Sequence, residues 1–208
     1  IEDWVSLTSN SGWGFGDGIF AGCLVLNEVL LPTNITIIPK NSFLGCIGLT
    51  DLSILSNPKI VRIDKAAFKG CTSVTSVKFS PNLTSIGESA FENCTVLSDA
   101  VLPASCETIY DKAFVATAIK DVDLSYVKTI GKSVFFNCNS LAKAIINNAW
   151  DSIPESLFDT CKALETVTTS GSTKLSNIKL INKKGFYNCT ALKNIDIPFL
   201  FVHGLEDR

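Results

Sequence analysis

The 208-residue sequence has no methionine, a single histidine and no run of lysine or arginine. Because His203 is the only imidazole, a zinc site built from several histidines is excluded, and the chain has one ordinary general base near pH 7. A net charge of −2 without a basic cluster gives no electrostatic basis for binding nucleic acid. The missing initiator methionine indicates a processed product or a fragment.

Long apolar segments are also missing from the sequence. No stretch reaches the roughly 18 apolar residues that a membrane-spanning helix needs, so we expect no membrane span in this chain. No N-terminal signal pattern is present either, but its absence says little about destination if the chain is a processed piece.

What the sequence does contain is a repeat marked by phenylalanine. The marker residues are Phe20, Phe43, Phe68, Phe91, Phe114, Phe135, Phe158 and Phe186. An isoleucine stands five residues before most of them, a cysteine three residues after, and a leucine or valine six residues after. The fifth unit omits one residue and has Thr117 at the cysteine position. Because internal repetition at this period is typical of solenoids, eight units are predicted to fill nearly the whole chain.

One unit can be interpreted from its pattern. Apolar residues that alternate with polar ones, as in Val77 and Phe79, predict a short half-buried strand. The segment ending in Ala-Phe is too short for a full helix and predicts a helical turn. Two residues after each phenylalanine, glycine or asparagine is common, which predicts a left-handed residue that ends the turn. Such a unit cannot bury its own apolar face, so it must stack on its neighbours.

Several positions of the repeat, which we call columns, recur together in most units. In one unit they are occupied by Ile86, Ala90, Phe91, Cys94, Leu97 and Leu102-Pro103. Over residues 12–198 the sequence resembles the BspA-like leucine-rich repeat family. This resemblance implies a right-handed α/β solenoid of about eight repeats, with parallel strands on one face and short helical turns on the other. It also implies a cell-surface or secreted protein, in a family with several members implicated in adhesion. We therefore expect one domain, with an N-terminal cap at 1–14, repeats at 15–198 and a C-terminal cap or tail at 199–208.

The eight cysteines are predicted to be buried free thiols. Zinc sites favour closely paired cysteines, whereas the nearest two here, Cys94 and Cys106, are 12 residues apart. Cysteines stacked on adjacent coils would have parallel Cα–Cβ vectors, which suits a disulfide poorly. We expect no metal and no cofactor.

Two segments resemble parts of enzymes without completing them. The glycine-rich residues 12–18 lack the Lys-Ser/Thr of a phosphate-binding loop, and capping of the solenoid explains them better. The C-terminal segment around Asp207 is similar to the acid-bearing loop of an α/β-hydrolase, but the chain has no G-x-S-x-G nucleophile motif. The sequence therefore predicts a protein that is not an enzyme.

The outward positions of the predicted strands are the candidate partner-binding residues. They are Glu28, Asp51, Lys78, Asp99, Val101, Asp121, Asp123 and Ile145. The carboxylates predict a docking face for a basic or polar protein, with the apolar side chains as anchors. A merely solvated sheet face remains the alternative. A polar insertion at residues 168–177 is a second candidate contact site.

Asn34 and Asn82 begin Asn-x-Thr triplets in one column of the repeat and are candidate glycosylation sites. Taken together, the sequence predicts a protein-interaction or adhesion module whose protein partner it does not identify. The alternative is an architectural subunit fixed within a larger assembly.

Overall fold

The computed structural model describes residues 16–193 and 195–197. The predicted caps at 1–14 and 199–208 lie outside these residues, as do His203 and Asp207. The described part contains twelve short strands and one 3₁₀ helix, Ser53–Ser56. The strands are β1 (Ile37–Ile38), β2 (Arg62–Ile63), β3 (Ser76–Lys78), β4 (Ser85–Ile86), β5 (Asp99–Val101), β6 (Thr108–Ile109), β7 (Asp121–Asp123), β8 (Thr129–Ile130), β9 (Lys143–Ile146), β10 (Ser152–Ile153), β11 (Thr166–Thr169) and β12 (Leu180–Ile181).

The strands form two columns that run along the stacked coils. The first column has the order β1-β2-β4-β6-β8 and continues as β10-β12, with Ile63 paired to Ile86 and Ile86 to Ile109. The second column consists of β3-β5 and of β7-β9-β11. All of these strand pairs are parallel. The chain is thus a leucine-rich-repeat-like solenoid of about six parallel-strand turns with almost no helix.

The marker phenylalanines form one continuous stack inside the solenoid. Rings of adjacent coils lie 5.1 to 5.9 Å apart between centroids, and their planes differ by 2° to 18°. Phe43 to Phe158 are buried, together with the isoleucine, cysteine and leucine columns beside them. Because each ring stacks on the rings of the coils above and below it, a single unit alone would leave both sides of its ring uncovered.

The predicted helical turns are not α-helices in this structure. The position two residues after each phenylalanine is left-handed, as predicted, with φ of 71° at Gly45 and 62° at Asn93. The position two residues before is left-handed as well, with φ of 53° at Ala66 and 60° at Lys112. An α-helix requires consecutive right-handed residues, so two left-handed residues four positions apart prevent it.

Alternate backbone amides of these turns bond to the next coil, while the amides between them bond within their own coil, as from Lys69 N to Ala66 O at 3.3 Å. Phe68 N donates to Ala90 O at 2.8 Å, and Gly70 N donates to Glu92 O at 2.8 Å. Such inter-coil bonds satisfy the amides that a helix would have used internally. The helical component of the predicted α/β class is therefore limited, in the part of the chain the structure describes, to the one 3₁₀ helix.

Candidate protein-binding face

The outward side of the second strand column forms an exposed face. In β3, β5 and β7 the middle residues Val77, Ala100 and Val122 are buried, and the residues on either side are exposed. This alternation follows from the two-residue period of a strand, which sends successive side chains to opposite sides. We name the outward residues of β3, β5, β7, β9 and β11 the strand face.

Six of the eight predicted partner-binding residues lie on the strand face. They are Lys78, Asp99, Val101, Asp121, Asp123 and Ile145. The register pairs Lys78 with Val101 and Asp123 with Ile145, so charged and apolar side chains are neighbours. Val101 is 76% exposed, whereas Ile145 is half-buried.

Glu28 and Asp51 are exposed but lie outside the paired strands. Asp51 precedes the 3₁₀ helix, and its carboxylate accepts hydrogen bonds from Ser53 N at 2.6 Å and from Ser53 Oγ at 3.1 Å. These bonds form a local turn at Asp51 that leads into the helix, where the repeat pattern predicted a strand. The strand face is therefore shorter at its N-terminal end than the sequence indicated.

The strand face is interrupted between β5 and β7, which belong to separate sheets. In other coils, the residue just before the strand donates a backbone hydrogen bond to the equivalent residue of the preceding coil. Examples are Ser98 N to Thr75 O at 2.9 Å and Ala142 N to Lys120 O at 2.7 Å. Within the described residues the equivalent bond from Lys120 N to Ser98 O is missing. The strand β7 belongs to the fifth unit, the one that omits a residue. We name this gap between β5 and β7 the seam.

Several glutamates on the flanks of the solenoid are paired with lysines, whereas the carboxylates at the seam, like flank residues Asp111 and Asp151, form no ion pair within the described residues. Lysines of neighbouring coils contact Glu88, Glu107 and Glu155 at 2.8, 2.6 and 3.0 Å. The Lys193 ammonium likewise lowers the pKa of Glu165 by hydrogen bonding to it. Across residues 16–193 and 195–197, no cation forms an ion pair with the seam carboxylates, which are Asp99, Asp121 and Asp123.

Six of the eight cysteines pack in the core as predicted, but the prediction that all eight are buried is wrong for exposed Cys23 and half-buried Cys189. All the cysteines of the described residues are free; Cys46, Cys71, Cys94, Cys106, Cys138 and Cys161 are buried, Cys189 is half-buried and Cys23 is exposed. Burial raises the pKa of Cys94 and of Cys106 to about 12, so these thiols stay protonated at neutral pH and are poor nucleophiles. The described residues contain no cluster of three or more histidine, cysteine or carboxylate side chains able to hold a metal ion.

The candidate glycosylation sites differ in their surroundings. Asn82 is exposed, but its Nδ2 donates to Pro58 O of the preceding coil at 2.9 Å. Asn34 is exposed as well, and the matching position of the preceding coil lies outside the described residues. A glycan on Asn82 would occupy the same nitrogen that bridges the coils, so its attachment would break this bond.

The polar insertion forms a turn at the C-terminal end of the strand face. Thr169 pairs with Ser172 in antiparallel fashion, and Lys174 pairs with Asp196 in the last described segment. Residues 170–174 are exposed, so this second candidate contact site is on the surface. None of the helices in the described part of the chain has the length and apolarity to cross a membrane.

The profile described as "BspA type Leucine rich repeat region" matches in six copies, over residues 13–141 and 111–201. The chain belongs to the BspA-type leucine-rich repeat family. No curated protein matches the sequence.

Solved leucine-rich repeat proteins share the fold. The T. pallidum leucine-rich repeat protein is 24% identical with a TM-score of 0.62, and the match covers 79% of this chain and 73% of that one. A leucine-rich repeat protein from Bacteroides ovatus is 23% identical with a TM-score of 0.51, covering 90% of this chain and 65% of that one. The pneumococcal vaccine antigen PcpA is 18% identical with a TM-score of 0.54, covering 80% of this chain and 49% of that one. At these identities the likeness concerns the fold alone.

Proposed function

We propose that this chain is a non-catalytic protein-interaction module that binds its partner through the strand face. The family is typically composed of protein-binding or surface proteins. The observation that carries the proposal is the contrast in carboxylate pairing. Flank glutamates such as Glu107 bond to lysines of neighbouring coils, whereas Asp99 and Asp121 face outward and form no ion pair within the described residues, although Lys143 lies opposite Asp121 in the register of β7 and β9.

The proposal includes three finer statements. The array has eight units, which the stack of eight marker rings from Phe20 to Phe186 supports. The protein is at the cell surface or secreted, and its binding serves adhesion. Labelling of intact source cells with a membrane-impermeant amine reagent tests the location, because an internal protein would stay unlabelled.

Affinity capture from extract of the source organism tests the strand face. The bait is the full chain, either unchanged or with Val101→Arg and Ile145→Arg. The control bait has Val61→Arg and Val96→Arg, two exposed valines outside the strand face that add the same charge. A partner of the strand face is retained by the unchanged and control baits and lost from the first variant.

Equal retention by all three baits would show that the partner binds elsewhere. Co-purification at a fixed stoichiometry that resists dilution would instead favour an architectural subunit of a larger assembly, because reversible binding should dissociate on dilution.

A further inference from the structure

The two ends of the described coil stack carry complementary backbone groups. In each pair of neighbouring coils, three amides of one phenylalanine turn donate to three carbonyls of the next, as from Gly18, Phe20 and Gly22 to Lys40, Ser42 and Leu44 at 2.8, 2.9 and 2.7 Å. In residues 17–22, which we name the head turn, the carbonyls at the accepting positions accept no backbone bond from the described residues; they belong to Asp17, Ile19 and Ala21. In residues 183–188, which we name the tail turn, the amides at the donating positions donate no bond to the described residues; they belong to Lys184, Phe186 and Asn188. The head turn therefore offers acceptors and the tail turn offers donors at matching positions.

The apolar side chains of the two turns are incompletely buried and differ in size. The residue just before each marker phenylalanine is buried in the coils from Ser42 to Leu157, whereas Ile19 of the head turn is 47% exposed. The tail turn has Gly185 at this position, which leaves room for a large side chain on its outer side. Phe186 is half-buried, and within the described residues its ring stacks only on that of Phe158, in the preceding coil. A head turn placed on a tail turn would bury Ile19 over the glycine and cover the outer side of the Phe186 ring.

The charged column beside the turns also matches across the two ends. Three residues before the marker phenylalanine, opposite charges of neighbouring coils form ion pairs, as Lys132 with Glu155 at 3.0 Å. The same position is occupied by Asp17 in the head turn and by Lys183 in the tail turn, and both side chains are exposed. Neither forms an ion pair within residues 16–193 and 195–197. Stacking the two turns in the register of the other coils would bring these opposite charges together.

We propose that copies of this chain bind one another head to tail, with the head turn of one copy stacked on the tail turn of the next as if it were a further coil. Backbone bonds from the tail turn to the head turn continue the ladder of the solenoid, and Lys183 pairs with Asp17 of the neighbouring copy. Because the two surfaces differ, each added copy leaves a head and a tail turn free to bind again, so the assembly grows with concentration. The inference does not depend on the strand face, whose side chains point sideways from the stack and stay exposed in such an assembly.

Sedimentation velocity of the full 208-residue chain over a series of concentrations tests this inference. Two variants, Asp17→Lys and Lys183→Asp, each place like charges at the proposed contact. The control variant is Lys59→Asp, an exposed lysine outside both turns, which changes the net charge as Lys183→Asp does. Thermal melts of the three variants verify that the exposed substitutions leave the fold intact.

The mean mass of the unchanged chain and of the control variant should rise with concentration. Asp17→Lys and Lys183→Asp should each associate roughly ten-fold more weakly, because an attractive exposed pair becomes a repulsive one. An equimolar mixture of these two variants should associate as the unchanged chain does, since each then meets an opposite charge on the other. Recovery in the mixture cannot result from damage to either fold, so it identifies the contact between the two ends.

An unchanged chain that stays monomeric up to about 1 mM would overturn the inference, because a contact with a Kd of that size would be half occupied there. A mass that stops at twice the monomer would overturn it too, since it would reveal a two-fold contact between identical surfaces. Equal weakening in the control variant, or a mixture that associates no better than its components, would show that Asp17 and Lys183 do not meet.

Discussion

The Cys71 thiol donates a hydrogen bond to the main-chain carbonyl oxygen of Phe43 in the preceding coil, with Sγ 3.1 Å from the oxygen. Cys94 makes the same bond to Phe68 O at 3.2 Å. The carbonyls are not orphaned without it, because Phe68 O also accepts from Cys71 N at 3.1 Å. The cysteine column thus contributes volume to the core and a weak bond between coils.

Replacing Cys94 by alanine should lower the free energy of unfolding by about 1–2 kcal/mol, because a buried sulfur and its hydrogen bond are lost. The control is Cys23→Ala, the same change in the same column at an exposed position. This control should lower the free energy of unfolding by less than about 0.5 kcal/mol. Urea denaturation of both variants measures the difference, and equal losses would show that burial of the column is unimportant.

The free energy of unfolding should fall as the pH rises above 9.0, the pKa of an unshifted cysteine thiol. In the folded chain the pKa of Cys106 is raised to about 12 by burial, so the thiol stays protonated while its unfolded counterpart ionises. The unfolded state binds fewer protons between pH 9 and 12, and stability is lost there at about 1.4 kcal/mol per pH unit for each such thiol.

Urea denaturation at a series of alkaline pH values measures this dependence. The variant Cys106→Ala serves as the comparison, because all other titrating groups are shared and cancel. Its slope should be shallower by the contribution of one thiol. Identical slopes would mean that Cys106 ionises alike in the folded and unfolded chain.

The repeat columns could be predicted from the sequence because each is marked by residue type. Phenylalanine, isoleucine and cysteine mark the core, and glycine or asparagine marks the left-handed position after the phenylalanine. The second left-handed position has no such mark, since it is occupied by Ala66 in one coil and Lys112 in another. There the inter-coil bonds from Ala66 N to Glu88 O and from Phe68 N to Ala90 O determine the backbone and override local propensity.

The candidate site was predictable only in part for a similar reason. The two-residue period predicted that Asp99 and Asp121 face outward, because alternation is a property of one strand. Whether neighbouring strands pair depends on the register between coils, so the seam required the three-dimensional structure. The 3₁₀ helix that follows Asp51 was missed because the surrounding units all indicated a strand.

Gly87 should tolerate no side chain, because the coils approach each other closely there. A Cβ at this position would lie 2.5 Å from Asp64 C and 2.6 Å from Lys65 N, both backbone atoms of the preceding coil. Since backbone cannot move aside without breaking the coil contact, Gly87→Ala should destabilise the chain by about 2–3 kcal/mol. Gly16→Ala is the control, because a Cβ there meets nothing within 4 Å. A loss of equal size in both variants, measured by thermal or urea denaturation, would attribute the effect to glycine flexibility instead of to coil spacing.

Phe135 and Phe136 are adjacent in sequence and differ in surroundings. The ring of Phe135 is buried between those of Phe114 and Phe158, with centroids 5.6 and 5.9 Å away, whereas Phe136 is 37% exposed. Phe135→Ala should therefore lower the free energy of unfolding by about 3–5 kcal/mol, and Phe136→Ala should lower it by about 1 kcal/mol. Because each coil is stabilised by its two neighbours, the Phe135 variant should also lose amide hydrogen-exchange protection in the coils of Phe114 and Phe158. Loss confined to the coil of Phe135, or equal cost at the two positions, would contradict a ring stack that couples the coils.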